Sequence, residues 1–579
     1  KIQPRQFVHR PNALRNFEVR EPSVVPTSQP CEKILLEHTF ENSYGRPAKV
    51  DYSPPAECGP PGSWASVIFN LTTTSKGRQY DRLGLMYLDG IEVWRTSTGK
   101  ELINFYFTFN RTRDMSNYVS LLKKSGISLS LDIGNIVDKK LNLEGKFEVT
   151  LSAKYYPTTP QFLPLDQDYQ VENIGSQMGS NLTKMLKFPK NLASAYVQLF
   201  ASGSGNEEFW YTNVPDEYYK RLTPTDQEDV TKKGPFREVQ LWIDNYLAGV
   251  AFPFPVIYTG GIILSWWRPI AAIGAFDSPT YTIDITPFVP LLADGASHNF
   301  TIVVVGQGEK GSINPQWIFS GMTLFTLDPS GEQTTGKILS HKTDSKTLVT
   351  PTATKSLYGN ESVQFAVTSY RKLSISSAIN TGSGSQLVKF EQDLSYSNIQ
   401  KRAINQSFEK ILQSTKGTSV SNHGDQQVLL DKINFPLNLI QDVIFDSNTT
   451  LIKGSLDHGF ERTQELPFNP NFARTSISTN QKSKGNLKLS EDGRAVSGIG
   501  RTSQVFDYSD SREETYHREV EISNSTKVIK DYSSGTLASK EIQTIECFDN
   551  EDPSLIDLTR NIYDEPFRLP TYCTFHLLI

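Results

Sequence analysis

Apolar and polar residues alternate with a period of two in short runs from Lys33 to about residue 330, which is the signature of half-buried strands. In VIFNLTT, Val67, Phe69 and Leu71 share one strand face and Asn70 takes the other. LMYLDGIEVW sets Asp89-Gly90 between two alternating runs, and VQLWIDNYLAGV does the same with Asp244-Asn245, so each reads as a hairpin with a two-residue turn. Each hairpin is followed by a similar segment. SNYVSLLKKSGISLSLDIG (Ser116–Gly134) resembles TPFVPLLADGASHNFTIVVVG (Thr286–Gly306): an aromatic, a double leucine, a Gly-containing turn and a strand. The same order of parts twice suggests a tandem duplication.

The expected fold class is all-β: two adjacent sandwiches at 31–157 and 186–330, an N-terminal extension at 1–30, and a polar linker at 158–185. A third antiparallel β-rich accessory domain is expected at 331–579, where Ser/Thr/Lys/Asn-rich strands such as SVQFAVTSY and TKVIKDYSS replace the aromatic ones. The longest apolar run, Leu247–Trp267, is broken by Pro253, Pro255, Gly260 and Gly261 and cannot be a regular membrane helix. A strand, a turn and an aromatic-rich loop are expected there instead.

A chain of 579 residues suggests three or more domains, at about 100–200 residues each. The net charge of −5, with basic residues scattered, gives no electrostatic case for binding nucleic acid. Four cysteines permit three pairings. The local bridges Cys31–Cys58 and Cys547–Cys573 are expected because each closes a short loop within one domain. Asn-x-Ser/Thr sequons occur at Asn70, Asn110, Asn181, Asn299, Asn360, Asn405, Asn448 and Asn524. With the paired cysteines they point to a secreted protein or one of the secretory-pathway or vacuolar lumen.

From Thr39 to Ser297 there is no histidine, and between Gly59 and Glu546 no cysteine. Local catalysis there excludes serine–histidine, cysteine–histidine and histidine–metal chemistry and leaves carboxylates and arginines. No metal-ligand spacing or nucleotide fingerprint is present, so no cofactor is expected. Asp81 stands where Gly77–Tyr80 enters a strand, on the side of Leu83, Leu85 and Tyr87, while Arg82 points the other way. From these residues alone, a turn-capping aspartate is the better reading. In NEEFWYTN, adjacent acids on a strand face opposite ways, so Glu208 rather than Glu207 shares a side with Trp210. Arg237 in GPFRE and Arg268 in SWWRPI are cationic candidates. Trp266 and Trp267 offer flat faces for sugars, and Tyr258 begins a Gly-Gly turn that a ligand could approach. A tryptophan-stacked arginine paired with a structural acid remains an alternative for both arginines.

Ser43–Pro55, TSKGRQYDRLGLMYLDGIEVWRTST (Thr74–Thr98), SGSGNEEFWYTNVPDEY (Ser202–Tyr218), Gly234–Gly261, Trp267–Leu292 and Ser330–His341 closely resemble the plant and fungal peptide-N-glycosidase A family. The likeness covers about residues 31–345. It implies two jelly-roll sandwiches side by side with the site at their junction. It also implies an amidase that cleaves asparagine from the first N-acetylglucosamine of an N-glycan, turning the asparagine into aspartate and releasing a glycosylamine. Tyr80-Asp81-Arg82 looks like the motif of the essential aspartate of the bacterial enzyme type, Glu208-Phe209 like that of its second acid, and Arg268 like its arginine. Gly134 stands where relatives carry a glutamate, with Asp132 two residues away on the same face. The catalytic set implied is Asp81, Glu208 and Arg268. Arg82, Glu207, Trp210, Arg237, Tyr258, Trp266, Trp267 and Asp132 are expected to contact an N-linked glycopeptide. A glycan-binding protein with an impaired site and a glycoside hydrolase are the rival readings.

Overall fold

The computed structural model describes residues 14–99, 106–165, 169–220, 222, 227, 230–351, 362–403, 406–468, 474–491, 493, 495–524, 527–538, 542–549 and 571–578. Strands take 63% of the structure and helix 8%, which makes the chain all-β. The first unit holds β1 (Leu14–Asn16), β2 (Cys31–Phe40), β3 (Ala48–Tyr52), β4 (Trp64–Lys76) and β5 (Leu83–Leu88). It continues with β6 (Ile91–Ser97), β7 (Tyr106–Asp114), β8 (Ile127–Ile133) and β9 (Lys146–Pro157). Its two sheets run β1-β7-β4-β9-β2 and β3-β8-β5-β6. The second unit holds β10 (Gln170–Gly179), β11 (Asn181–Lys187), β12 (Leu192–Gly203) and β13 (Arg237–Ile243). With β14 (Tyr246–Ala251), β15 (Thr280–Asp284), β16 (Ser297–Gly306) and β17 (Trp317–Leu327), its sheets run β15-β12-β17-β10 and β11-β16-β13-β14.

Each strand from β2 to β9 has its counterpart, in chain order, among β10 to β17, and both sheet orders then coincide. Two sheets of this connectivity facing each other are jelly rolls. The duplication signalled by the double-leucine segments is therefore carried by the whole topology. Asp89-Gly90 and Asp244-Asn245 lie at the two hairpin turns, with Asp89, Gly90 and Asp244 at positive φ.

The polar link expected at 158–185 includes β10 and most of β11, which are edge strands of the second sandwich. Of β10 only Ile174 is buried, so its sequence shows little apolar alternation. The N-terminal stretch is structural too: β1 pairs in parallel with β7, and Phe17 bridges to Ile270.

Beyond the sandwiches, ten strands from β18 (Thr335–Pro351) to β27 (Lys527–Ser534) form one antiparallel meander in sequence order. The hairpin β28 (Ile542–Asp549) and β29 (Thr571–Leu578) follows, with Cys547 opposite Cys573 in register; their side chains lie outside the described residues. Cys31 and Cys58 are bridged. Phe365, Tyr396 and Leu437 of the meander belong to the same buried cluster as Trp210, Leu241 and Trp317 of the second sandwich. The large sheet thus shares a core with the sandwich it covers. Asn110, Asn181, Asn299, Asn448 and Asn524 are exposed, Asn70 is half-buried, and Asn360 and Asn405 lie outside the described residues. Among the described residues, no helix is long and apolar enough to cross a membrane.

Candidate active site

The two sandwiches meet across β6. Arg95 donates Nε and Nη2 to Glu92, each at 2.8 Å, and its Nη1 reaches over to Ser202 Oγ (2.9 Å) and the Ile318 carbonyl (2.8 Å). Glu92 accepts in turn from Ser320 Oγ at 2.6 Å. Glu92 and Arg95 are fully buried, so this network fixes the relative position of the two halves at a place where a loose charge would be costly.

Above this junction lies an irregular segment, 252–279, that is almost entirely buried. A buried loop of that length is unusual, because every backbone polar group in it needs a partner. The partners come from four distant parts of the chain. Thr259 Oγ1 donates to the Thr98 carbonyl at 2.5 Å, and Phe254 N–H to Tyr281 Oη at 2.7 Å. Gln481 donates to the Ala271 carbonyl at 3.0 Å, and Thr502 to the Trp266 carbonyl at 2.8 Å. Glu18 accepts from the Gly274 and Phe276 N–H groups at 2.9 and 3.0 Å. Phe17 donates to Pro269 O and accepts from Ala271 N–H. Arg268, half-buried, sits within this scaffold.

Asp81 lies two residues before β5. The next residue is pinned through Thr98, which takes the Arg82 N–H on its hydroxyl (2.9 Å) and returns its own N–H to the Arg82 carbonyl (2.8 Å). Since Thr98 also holds Thr259, the Asp81 turn and the Tyr258 loop form one block. Glu208 follows β12. The segment is two short 3-10 turns, Gly205–Glu207 and Trp210–Thr212, rather than the expected strand. Gly203 is required here: a Cβ on it would lie 1.9 Å from the Glu207 carbonyl oxygen. The turns still separate the two acids, leaving Glu207 fully buried and Glu208 half-buried. A Cβ on Gly261 would meet the Phe209 ring at 3.1 Å, so the Glu208 turn rests on the Tyr258 loop. Burial pushes the Tyr258 phenol up to about 12, and the charges of Glu208 and Asp81 add to the rise. Both carboxylates therefore act electrostatically on one neutral, buried phenol.

The structure revises several expected substrate contacts. Glu207 accepts from Arg237 Nε (2.6 Å) and Nη2 (2.7 Å), Trp317 Nε1 (2.7 Å) and Asn314 Nδ2 (2.6 Å). Arg237 Nη1 is spent on the carbonyls of Gly234 and Phe236. The pair is sealed from solvent and braces the Glu208 turn from behind, which leaves neither residue a surface for substrate. Trp210, Trp266 and Trp267 are buried as well. Trp267 Nε1 donates to the Gly261 carbonyl at 2.7 Å, and its ring meets that of Trp266 edge-on at 5.7 Å. All three are packing rather than open faces for sugar, and Trp266 and Trp267 stand just before Arg268 in the chain. The meander covers Trp266, with Gly454 against its ring and Thr502 on its carbonyl, and no pattern local to SWWRPI announces a cover from so far along the chain. Asp132 lies opposite Leu85 on β8, half-buried, with burial holding its carboxyl above the usual range. Thr98, Thr259, Glu18 and the pair Glu92/Arg95 were missed from sequence. Among the described residues, no group of three or more His, Cys, Asp or Glu is placed to hold a metal ion.

A family model described as peptide N-acetyl-beta-D-glucosaminyl asparaginase amidase A matches residues 20–344. A model of the PNGase_A C-terminal domain matches residues 364–437. The peptide-N4-(N-acetyl-beta-glucosaminyl)asparagine amidase A of Prunus dulcis is 30% identical over 553 residues, covering 88% of this chain and 91% of that protein. The solved structure of PBSX exported protein XepA aligns with 52% of this chain and 89% of its own at 8% identity and a TM-score of 0.13, too low to bear on the fold.

Proposed function

The chain belongs to the peptide N-acetyl-beta-D-glucosaminyl asparaginase amidase A family, and on that premise we propose that it removes whole N-glycans from glycopeptides with Asp81 and Glu208 as its working carboxylates. The supporting observation is a contrast in burial. Glu207, Arg237 and the tryptophans around the junction are closed off, whereas Asp81, Glu208 and Arg268 keep partial access to solvent on segments sewn to one loop.

In the reaction, a water oxygen adds to the side-chain carbonyl carbon of the glycosylated asparagine. The carbon–nitrogen bond then breaks, and the nitrogen leaves with the sugar as a glycosylamine after gaining a proton. Asp81 orients the water and takes its proton, and Glu208 holds the water or a sugar hydroxyl. Arg268 faces the oxyanion that develops on the carbonyl oxygen. Tyr258 stays protonated across the working range and keeps a neutral group beside the two carboxylates. The Cys31–Cys58 bridge and the exposed sequon asparagines support a secretory-pathway or vacuolar location for this activity.

A short N-glycopeptide incubated with the protein in heavy-oxygen water tests this reading by mass spectrometry. The expected result is loss of the whole glycan and a labelled aspartate. Asp81→Asn and Glu208→Gln should each lower kcat by about 10²–10⁴ while folding normally. Asparagine still carrying one N-acetylglucosamine would replace the amidase with a glycoside hydrolase, and an intact glycopeptide bound without turnover would replace it with a lectin.

A further inference from the structure

Most large side chains near the junction are buried, but two tyrosines beside Asp81 are not: Tyr44 is 57% exposed and Tyr80 43%. Both rings bracket the guanidinium of Arg82, whose Cζ lies 5.8 Å from each ring centroid. Arg82 is held from beneath, its Nη2 donating to Gln79 Oε1 at 2.8 Å and its Nε to Asn135 Oδ1 at 3.3 Å. On the exposed side its Nη1 donates to Tyr44 Oη at 2.9 Å.

Gln79 and Asn135 are themselves fully buried. Gln79 donates to the Ile136 and Gly145 carbonyls, and Asn135 to the Phe40 and Gly145 carbonyls. A buried amide network is a costly way to hold a surface arginine, and it makes sense where the arginine must present one fixed face. Position 134 completes the arrangement. A Cβ there would lie 2.8 Å from the Tyr44 ring, so only glycine lets that ring lie flat over the strand end.

We propose that Tyr44, Tyr80 and Arg82 form a platform for a neutral pyranose ring of the glycan, on the flank of the Asp81 turn. This deepens the amidase reading and rests on it for the identity of the glycan. Flat aromatic faces suit the C–H face of a sugar, and a planar donor suits its hydroxyl or acetamido oxygens. An anionic ligand fits less well, because the Nε and Nη2 edge that grips a carboxylate side-on is taken by Asn135 and Gln79.

The test uses the full chain and a free, reducing oligomannose glycan with a chitobiose core, titrated calorimetrically. Wild type binds it. Tyr44→Ala and Tyr80→Ala each weaken binding by about tenfold, a 1.4 kcal/mol change, with the melting temperature unchanged. Tyr44→Leu and Tyr80→Leu keep apolar bulk without the flat face and show the same loss, carrying the test if an alanine variant misfolds. No binding by wild type, or wild-type affinity in the tyrosine variants, overturns the platform. Glycopeptide turnover by wild type is followed in parallel. Turnover without glycan binding overturns the platform and leaves the amidase. Binding that depends on the tyrosines without turnover supports the platform and removes the amidase.

Discussion

Arg237→Met separates bracing from substrate binding. It removes two hydrogen bonds, at 2.6 and 2.7 Å, from a Glu207 carboxylate with no exposed surface, leaving that charge to the neutral donors of Trp317, Asn314 and Asn213. Breaking a buried pair from one side costs about 3–5 kcal/mol, mostly because the surviving charge is stranded. Removing both charges with Glu207→Gln and Arg237→Met together should recover roughly 1–3 kcal/mol of that loss. Denaturant unfolding of the wild type, both single variants and the double variant measures the cycle. Glycopeptide kinetics on the same proteins supply the second readout. Because Glu208 follows Glu207 directly, a turn displaced by 1 Å lowers kcat by about 10²-fold, while KM moves little. Wild-type stability in Arg237→Met combined with a raised KM would refute this reasoning, since it would place the guanidinium on the substrate.

Three further outcomes are expected. His458 stacks on Phe254 at 4.8 Å in the buried contact between the meander and the second sandwich, and burial lowers its pKa to about 3 from the ordinary 6.5. Between those values the unfolded chain binds the proton and the folded one does not, so acidification should cost about 1.4 kcal/mol per pH unit. His458→Phe should show a shallower loss of melting temperature from pH 6.5 to 4; equal slopes would remove the histidine from the account. Gly134→Ala should displace the Tyr44 ring and weaken glycan binding by about tenfold with little effect on melting temperature, and unchanged affinity would show that the ring position is immaterial. Glu18→Ala strands two buried N–H groups at about 1–3 kcal/mol each, so it should lower kcat through the Arg268 loop, and full activity would show that the loop is held by other means.

What the sequence discloses here follows from what is local. Period-two alternation, the Asp89-Gly90 and Asp244-Asn245 turns and the repeated double-leucine segment lead to two related sandwiches. The separation of Glu208 from Glu207 is also legible, although tight turns rather than strand parity produce it. Polar edge strands such as β10 read as linker because only one of their side chains enters the core. The roles of Trp266 and Trp267 are hidden for a different reason: an aromatic loop looks the same whether a sugar or a distant sheet covers it. The two partners that bind Glu207 most closely from other strands, Arg237 and Trp317, are 30 and 110 residues away, and no window of sequence contains them. Tyr44 leaves one trace, the glycine at 134, whose meaning depends on a ring brought from the turn between β2 and β3.

The support beneath Arg268 also has a consequence in time. Thr502, which fixes the Trp266 carbonyl, is made 236 residues after it. At about 5–20 residues per second, that is a delay of roughly 10–50 s during synthesis. Over that interval the nascent chain carries Asp81 and Glu208, the two carboxylates proposed for catalysis, but no finished seat for Arg268. On the proposed mechanism, a glycan attached at Asn70 or Asn110 during the delay would meet a site that is not yet complete. On that mechanism, docking of the last large sheet is the event that completes the site.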